Sequence, residues 1–174
     1  EKMQKNMNLK IKFRESFRPF APIIKKDKVT EWFDIDIDSP YMLIVAMIKK
    51  SKRLIKKNKD DKLFFTDKIN EKRSIVPAIT HVDFSSRIQT VTSDSNKEIY
   101  EILDEFHKIT GVPILINTSF NIRGEPIVCK PIEALTCFMN SNIDGLVIGD
   151  YYLDKASQKN TFVDKSYISS FKKD

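Results

Sequence analysis

Residues 95–119 read SNKEIYEILDEFHKITGVPILINTS, and this stretch decides the fold. Its first part predicts an amphipathic helix over about 96–110, because apolar residues recur there with helical spacing. Ser95 followed by Glu98 is typical of a capping box at the start of a helix, and Gly111 supplies a residue that ends one. The apolar stripe of this helix consists of Ile99, Ile102, Leu103, Phe106 and Ile109.

Strands and a further helix are predicted on both sides of this stretch. Short apolar runs predict buried strands, and Pro131 is well placed at the first position of a second helix. Residues 9–20 alternate basic and apolar side chains, which is typical of an extended segment. Strands that alternate with helices indicate an α/β (α+β) fold. The predicted extended segments are 9–20, 42–48, 76–81, 86–91, 112–116 and 145–148.

The length and charge of the chain limit its class. Its 174 residues predict one domain over 1–174, because domains usually contain about 100–200 residues. The formal charge of +6 indicates an anionic partner, yet many of the cations lie in the run 49–59. That run is either a solvated surface or a patch that attracts phosphate, and it holds no aromatic residue on which bases could stack. We therefore do not expect a nucleic-acid partner.

The cysteines and the hydropathy bear on the location of the chain. Cys129 and Cys137 have no spacing typical of a disulfide framework or a zinc site, which fits a reducing compartment. No apolar run approaches the ~20 residues that a membrane span requires, and no signal-like segment opens the sequence. We expect a cytoplasmic chain with no membrane partner, cut from a longer protein.

The first candidate site is the basic segment 12–18. On an extended strand, residues two apart share a face, so Lys12 and Arg14 would point the same way. Two such cations repel each other unless an anion lies between them. Arg18, followed by the rigid Pro19, adds a planar group for phosphate oxygens. The alternative is a basic edge strand that prevents aggregation.

The second candidate site is the segment 80–87. If it is extended, His81, Asp83, Ser85 and Arg87 share one face, and Asp83 could orient His81 or pair with Arg87. A catalytic triad is a weak interpretation, because proximity in sequence says little about geometry. The alternative is a strand face whose polar groups satisfy one another.

The third candidate site follows the strand over 112–116. Asn117, Ser119 and Asn121 offer amide and hydroxyl groups, and Arg123 offers a bidentate cation. Open sheets bind ligands beyond the carboxyl ends of their strands, which is where this segment begins. The alternative is an ordinary polar loop.

Five stretches of the sequence resemble, in order and spacing, the C-terminal domain of the nodulation, cephamycin and tobramycin carbamoyltransferases. They are KFRESFRPFAP (12–22), SPYML (39–43), PAITHVD (77–83), RIQTV (87–91) and GVPILINTSFNIRGEPIVCKP (111–131). The resemblance implies a YrdC-like fold, an open, twisted and mixed sheet flanked by helices, with a cationic cavity. It also implies that the N-terminal actin-like-fold domain of the family lies outside this sequence.

The activity that the resemblance implies is carbamoyl transfer. The domain would bind ATP with Mg²⁺ and carbamoyl phosphate and form carbamoyl adenylate. The N-terminal domain of the same protein, which would hold iron, would pass the carbamoyl group to a hydroxyl-bearing small molecule or glycan. The resemblance leaves two rivals: an enzyme similar to threonylcarbamoyl-adenylate synthases, and a non-catalytic basic module that binds nucleotide or RNA.

The resemblance also implies roles for the candidate residues, with no metal ligand among them. The expected catalytic residues are Lys12, Arg14, Ser119 and Asn121, and the expected substrate-binding residues are Arg18, His81, Asp83, Arg87, Asn117 and Arg123. The sequence departs from the family pattern at Phe84-Ser85-Ser86, where Gly-Thr-Ala is usual, and this affects the expected backbone path. Lys130 likewise replaces a usual capping Thr before Pro131.

Overall fold

The computed structural model describes residues 2–54, 69, 71–159 and 162–171, so residues 55–59 of the basic run 49–59 lie outside the described residues. The chain divides into two compact units. Pro19–Thr118 form the first unit, and Lys2–Arg18 with Ser119–Asp174 form the second. The expectation of one domain over 1–174 stays a prediction.

Regular elements occur in both units of the described chain. The α-helices are α1 (Lys2–Asn6), α2 (Val29–Trp32), α3 (Lys97–Thr110), α4 (Pro131–Asn140) and α5 (Tyr167–Ser170). The strands are β1 (Ala21–Lys25), β2 (Ile44–Met47), β3 (Ser85–Val91), β4 (Ile114–Asn117), β5 (Gly145–Ile148) and β6 (Tyr151–Asp154). A π-helical turn covers Met7–Ile11, and 3₁₀ turns cover Lys26–Lys28, Lys50–Lys52, Pro77–Ile79 and Lys155–Ser157.

The first unit is built on an open four-stranded sheet in the order β2-β3-β1-β4. Strands β1 and β3 are parallel, whereas β1 with β4 and β2 with β3 are antiparallel. The sheet is therefore mixed, and helix α3 packs against β1 and β4. This arrangement confirms the expected α/β (α+β) class with an open, mixed sheet flanked by helices. The YrdC-like cationic cavity stays a prediction.

The two faces of this sheet differ in burial. Ile24, Ile88 and Ile114 lie on one face and are buried, so this face forms the core of the first unit. Val45 and Arg87 are cross-strand partners on the other face, and both are exposed. Because side chains alternate along a strand, every second residue belongs to this second face, which we call the open face.

Helix α3 differs slightly from its sequence prediction. Its N-cap is Asn96 rather than the predicted Ser95, because the Asn96 side chain accepts the backbone N–H of Ile99 at 3.0 Å. It ends as predicted at Gly111, whose φ of 72° is easy only for glycine. Leu103 is fully buried, whereas Ile109 at the end of the predicted stripe is 82% exposed. The apolar stripe therefore reaches the core only in part.

The second unit packs helix α4 against the hairpin β5–β6. Phe138 and Met139 of α4 and Leu146 of β5 form its buried apolar cluster. The side chain of Glu133 accepts the backbone N–H of Cys129 at 2.8 Å and that of Lys130 at 3.1 Å. The start of α4 is therefore capped by Glu133, which compensates for the absence of a capping side chain at Lys130.

Several predicted boundaries are wrong. Residues 9–20 are not extended, because the π-helical turn Met7–Ile11 occupies their first part. The 3₁₀ turn Pro77–Ile79 replaces the predicted strand over 76–81, and β4 lies near the C-terminal end of the predicted 112–116. In the part of the chain that the structure describes, no helix combines the length and the apolar character needed to cross a membrane.

Candidate functional site

The Lys12 side chain ends among oxygen atoms supplied by residues 119–121. Lys12 is only 6% exposed. Its Nζ donates to the backbone oxygen of Asn121 at 2.9 Å and to the side-chain Oδ1 of Asn121 at 2.8 Å. It also donates to the backbone oxygen of Ser119 and lies 3.3 Å from the Ser119 hydroxyl. An unpaired buried ammonium would be costly, so these oxygens allow a lysine to be buried here. We call Lys12, Ser119 and Asn121 the Lys12 cluster.

Residues 119–125 are held in shape by their own hydrogen bonds. The Ser119 hydroxyl donates to Oδ1 of Asn121 at 2.7 Å, and Nδ2 of Asn121 donates to the backbone oxygen of Glu125 at 2.7 Å. The Glu125 carboxylate accepts the backbone N–H of Ile122 at 2.8 Å and the hydroxyl of Tyr167. The Ser119 and Asn121 side chains therefore have fixed directions before any ligand binds.

Burial changes the pKa of three groups around the Lys12 cluster. Burial, together with the positive charge of Arg14, lowers the pKa of Lys12 to about 8. Burial and the nearby Glu125 carboxylate raise the pKa of the Cys137 thiol to about 12. The same two causes raise the pKa of the Tyr167 hydroxyl. At pH 7, Cys137 and Tyr167 are therefore neutral, and Lys12 is mostly charged.

Arg14 and Arg18 follow the π-helical turn along the sequence of the second unit. Nε of Arg14 donates to Oδ1 of Asn8 at 2.7 Å. Burial, and then the charge of Arg18, lower the pKa of the Arg14 guanidinium. Arg18 pairs with Glu15 at 3.9 Å, and both side chains are more than half exposed, so this pair adds little stability.

The prediction that Lys12 and Arg14 share one face of a strand is wrong. Phe13, which lies between them, has a φ of 48°, a left-handed conformation in which the chain cannot stay extended. Lys12 turns toward residues 119–121, although Arg14 remains near enough to lower its pKa. Arg123, the third arginine of this unit among the predicted site residues, donates from Nη1 to the backbone oxygen of Phe13 at 3.4 Å.

The residues before β3 form a turn rather than a strand. The backbone N–H of Phe84 donates to the oxygen of His81 at 3.0 Å, and Phe84 has a φ of 66°. Oδ1 of Asp83 accepts the hydroxyl of Ser85 at 2.7 Å and its N–H at 3.0 Å, which lowers the pKa of Asp83. The prediction that His81 and Asp83 share a strand face with Arg87 is therefore wrong. Both lie in an exposed turn.

Arg87 and Asn117 lie on the open face of the sheet in the first unit. Arg87 stands opposite Val45, and Asn117 stands opposite Ala21. Nδ2 of Asn117 donates to the side chain of Gln89, two residues after Arg87 on the same strand face. The structure thus brings these two predicted residues to one surface of the sheet.

Four residues that sequence reasoning missed hold the predicted ones in place. Glu125 lies inside the motif NTSFNIRGEPIV, so its position could have drawn attention. Gln89 lies inside the stretch RIQTV (87–91), two residues after the predicted Arg87, so it too could have drawn attention. Asn8 and Tyr167 belong to no motif or periodic pattern, and only the folded contacts show what they hold. The four residues are Asn8, Gln89, Glu125 and Tyr167.

The charges and donors of the second unit suit an anionic ligand. Four of its predicted site residues are cations, and two more carry an amide or a hydroxyl group. Phosphate oxygens bind well to such a mixture, because cations offset their charge and neutral donors fix their direction. The cations are Lys12, Arg14, Arg18 and Arg123, and the neutral donors belong to Ser119 and Asn121.

Comparison with known proteins gives a family match and several relatives. The family model described as Carbamoyltransferase C-terminus matches residues 1–155. The chain is 48% identical over 172 residues to the Uncharacterized protein sll1178 of Synechocystis sp., covering 99% of this chain and 28% of that protein. It is 37% identical over 153 residues to the Nodulation protein NolNO of Sinorhizobium fredii, covering 86% of this chain and 19% of that protein.

A relative with a named reaction is the 3'-hydroxymethylcephem-O-carbamoyltransferase of Amycolatopsis lactamdurans. The chain is 30% identical to it over 146 residues, covering 84% of this chain and 24% of that protein. The chain thus spans between 19% and 28% of the length of these relatives. The resemblance inferred from the five sequence stretches is confirmed. The chain belongs to the carbamoyltransferase family and corresponds to its C-terminal region.

Proposed function

We propose that this chain binds ATP with Mg²⁺ and carbamoyl phosphate and forms carbamoyl adenylate. The observation that supports the proposal most is the Lys12 cluster, in which a buried ammonium is joined to Ser119 and Asn121, residues 107 and 109 positions further along the chain. A core would be more stable with an apolar residue in place of a buried cation, so a lysine here is best explained by a negatively charged ligand.

The proposed reaction balances in two steps. Water first releases inorganic phosphate from carbamoyl phosphate and leaves carbamate. A carbamate oxygen then attacks the α-phosphorus of ATP, the bond to the bridging oxygen breaks, and pyrophosphate leaves. Both steps move negative charge among phosphate oxygens, so fixed cations and hydrogen-bond donors are the groups that lower their barriers.

The residues of the second unit have distinct roles in this scheme. Lys12, Arg14 and Arg18 would offset the charge of the phosphate oxygens. Ser119, Asn121 and Arg123 would orient the α-phosphate. No side-chain nucleophile is needed, which agrees with the raised pKa that keeps the Cys137 thiol neutral. His81, Asp83, Arg87 and Asn117 of the first unit stay predicted as substrate-binding residues.

The later steps belong to the longer proteins that this chain resembles. The relatives are several times longer than the chain, so the acceptor and its binding site are proposed to lie in an N-terminal domain that also holds iron. The Amycolatopsis relative is named for transfer to a hydroxymethyl group, which supports a hydroxyl-bearing acceptor.

Calorimetric titration of MgATP into this chain, with and without carbamoyl phosphate, tests the proposal. We expect saturable binding of MgATP that carbamoyl phosphate changes, and release of pyrophosphate when both are present. In the Asn121→Ala variant the affinity for MgATP should fall by about 30-fold. Lys12 and Ser119 each lose a hydrogen bond to the Asn121 side chain, and the two bonds together contribute ~2 kcal/mol.

Asn140→Ala is the matched control for this experiment. Its amide also donates to backbone oxygens in the second unit, those of Thr136 and Phe162, both at 2.9 Å, but it lies outside the Lys12 cluster. We expect it to bind MgATP as the unmodified chain does. A folded chain that binds neither ligand would refute the proposal. Pyrophosphate release that requires bicarbonate and threonine instead would favour the threonylcarbamoyl rival, and salt-sensitive RNA binding without ATP competition would favour the RNA module.

A further inference from the structure

Asn8 is a buried polar residue with no role in the reaction proposed above. It lies in the π-helical turn and is 0% exposed. Its Nδ2 donates to the backbone oxygen of Ser16 at 3.2 Å and to that of Arg18 at 2.8 Å. Its Oδ1 accepts Nε of Arg14 at 2.7 Å, and its backbone oxygen accepts the backbone N–H of Arg14 at 2.9 Å.

These contacts use both ends of one carboxamide. The amide nitrogen holds the backbone of residues 16–18, and the amide oxygen holds the side chain of Arg14. The asparagine carboxamide has a donor nitrogen and an acceptor oxygen on separate atoms. An ionised aspartate has no donor, serine has a single hydroxyl with one donor, and alanine has neither, so none of the three can make the same set of bonds. The Arg14 guanidinium is thereby tied by its Nε to a rigid, buried group.

A fixed Nε matters because of the shape of arginine. The guanidinium is planar, and its two Nη groups form the edge that binds phosphate oxygens in pairs. An arginine that is free to rotate loses side-chain entropy when it binds, and this loss weakens binding. Holding Nε in advance reduces this cost and sets the direction of the binding edge.

We propose that Asn8 is a positioning residue that orients the Arg14 guanidinium for the phosphate groups of the ligand. The inference rests on the proposed function, because the ligand of Arg14 is taken from it. It adds a residue that makes no contact with substrate and acts through Arg14.

A purely structural role for Asn8 is the competing explanation, and Gln4 provides the control for it. Nε2 of Gln4 donates to the backbone oxygens of Phe17 at 3.0 Å and Arg18 at 3.2 Å, so it holds the same loop. These bonds do not involve Arg14. If stabilising the loop were all that mattered, Gln4→Ala and Asn8→Ala would weaken ligand binding alike.

A double-mutant cycle measures whether Asn8 acts through Arg14. MgATP affinity is compared in Asn8→Ala, Arg14→Ala, the double variant and Gln4→Ala, with the folded fraction of each checked by urea unfolding. We expect Asn8→Ala to weaken binding by about tenfold and Gln4→Ala by less than about twofold. Asn8→Ala should have no further effect once Arg14 is alanine. Additive losses in the double variant would overturn the inference.

A second measurement decides the inference without any ligand. In ¹⁵N-labelled chain, the Nε–H signal of Arg14 should exchange slowly with water and should lose that protection in Asn8→Ala but keep it in Gln4→Ala. Rapid exchange in the unmodified chain would overturn the inference about Asn8. A protected Arg14 in a chain that binds no nucleotide would instead support the positioning of Arg14 and overturn the proposed function.

The conservative variant Asn8→Asp separates orientation from charge. An aspartate keeps an acceptor for Arg14 Nε but loses the donor to Ser16 and Arg18, and its negative charge offsets that of Arg14. We expect the Nε–H signal to stay protected while MgATP affinity falls at least as far as in Asn8→Ala. MgATP affinity equal to that of the unmodified chain would contradict the proposed role of the Arg14 charge.

Discussion

In the second unit, Lys12 is buried and its ammonium is surrounded by oxygen atoms of Ser119 and Asn121, whereas the turn before β3 in the first unit is exposed. In the cluster, one ammonium is joined to four oxygen atoms of two residues. In the turn, Asp83 is bonded to the adjacent Ser85, and His81 is bonded through its backbone. A buried cation requires partners from distant parts of the chain, so the cluster fixes its groups in place. The hydrogen bonds of Asp83 are made within the turn, and the side chains of His81 and Asp83 remain exposed to solvent.

The largest expected effect comes from removing the charge of the cluster. Lys12→Met should weaken MgATP binding by about 100-fold, because a charge-assisted contact worth ~3 kcal/mol is lost. Calorimetry measures this directly. Lys155→Met is the matched control, since its ammonium donates to the backbone oxygens of Phe138 and of Ser141, the latter at 2.9 Å, within the same unit. Equal losses of MgATP affinity in Lys12→Met and Lys155→Met would mean that both substitutions weaken binding by destabilising the fold.

A smaller effect is expected from pH. The pKa of Lys12 lies at about 8, so the ammonium loses its proton as pH rises through 8. The charged groups near it are Arg14, which lowers this pKa, and Glu125, which raises it. MgATP affinity should therefore fall by about 20-fold between about pH 7.5 and 9.5, whereas the affinity of Lys12→Arg, which stays charged, should not change over this range.

Loss of folding stability does not explain this fall in MgATP affinity, because the contribution of Lys12 to stability and its contribution to binding change with pH in opposite directions. An unfolded lysine keeps its proton to a higher pH than Lys12 does in the folded chain, so the unfolded state binds more protons between these two values. The contribution of Lys12 to the free energy of unfolding therefore rises with pH across that window, while its contribution to binding falls. If the free energy of unfolding and the MgATP affinity both fell across this pH window, the result would contradict this account.

The smallest effect concerns the turn in the first unit. Phe84 has a φ of 66°, which is strained for any residue with a side chain, and its ring lies 4.9 Å from the guanidinium of Arg53. Phe84→Ala loses the ring and keeps the strain, whereas Phe84→Gly loses the ring and removes the strain. The glycine variant should be more stable than the alanine variant by about 1 kcal/mol in urea unfolding. Equal stability would show that the turn is unstrained.

Local sequence patterns predict the helices and sheet of this protein well. The end of α3 at Gly111 and the start of α4 at Pro131 follow from backbone chemistry that acts within a few residues. The prediction of an extended segment over 9–20 is wrong because Asn8 joins the π-helical turn to Arg14 and Arg18 by hydrogen bonds. Propensity scales do not account for such contacts. The prediction of an extended segment before β3 is wrong because Phe84 occupies a conformation that favours glycine.

The site is predictable in its residue types but not in its geometry. Lys12, Ser119 and Asn121 stand out as polar groups in suitable places, and the structure brings them together. Their contact joins residues more than a hundred positions apart, which spacing alone cannot reveal. Asn8 holds the site without belonging to a recognisable pattern, and Glu125, although it lies inside the motif NTSFNIRGEPIV, makes contacts that only the folded structure reveals.

The most direct test of the account is an NMR titration of the ¹⁵N-labelled chain with MgATP. The central claim is that the Lys12 cluster is the phosphate-binding site. The account predicts that the Lys12 ammonium signal and the amide signals of Ser119 and Asn121 shift saturably, while the ammonium signal of Lys155 does not. Saturable binding that leaves Lys12, Ser119 and Asn121 unchanged would contradict it.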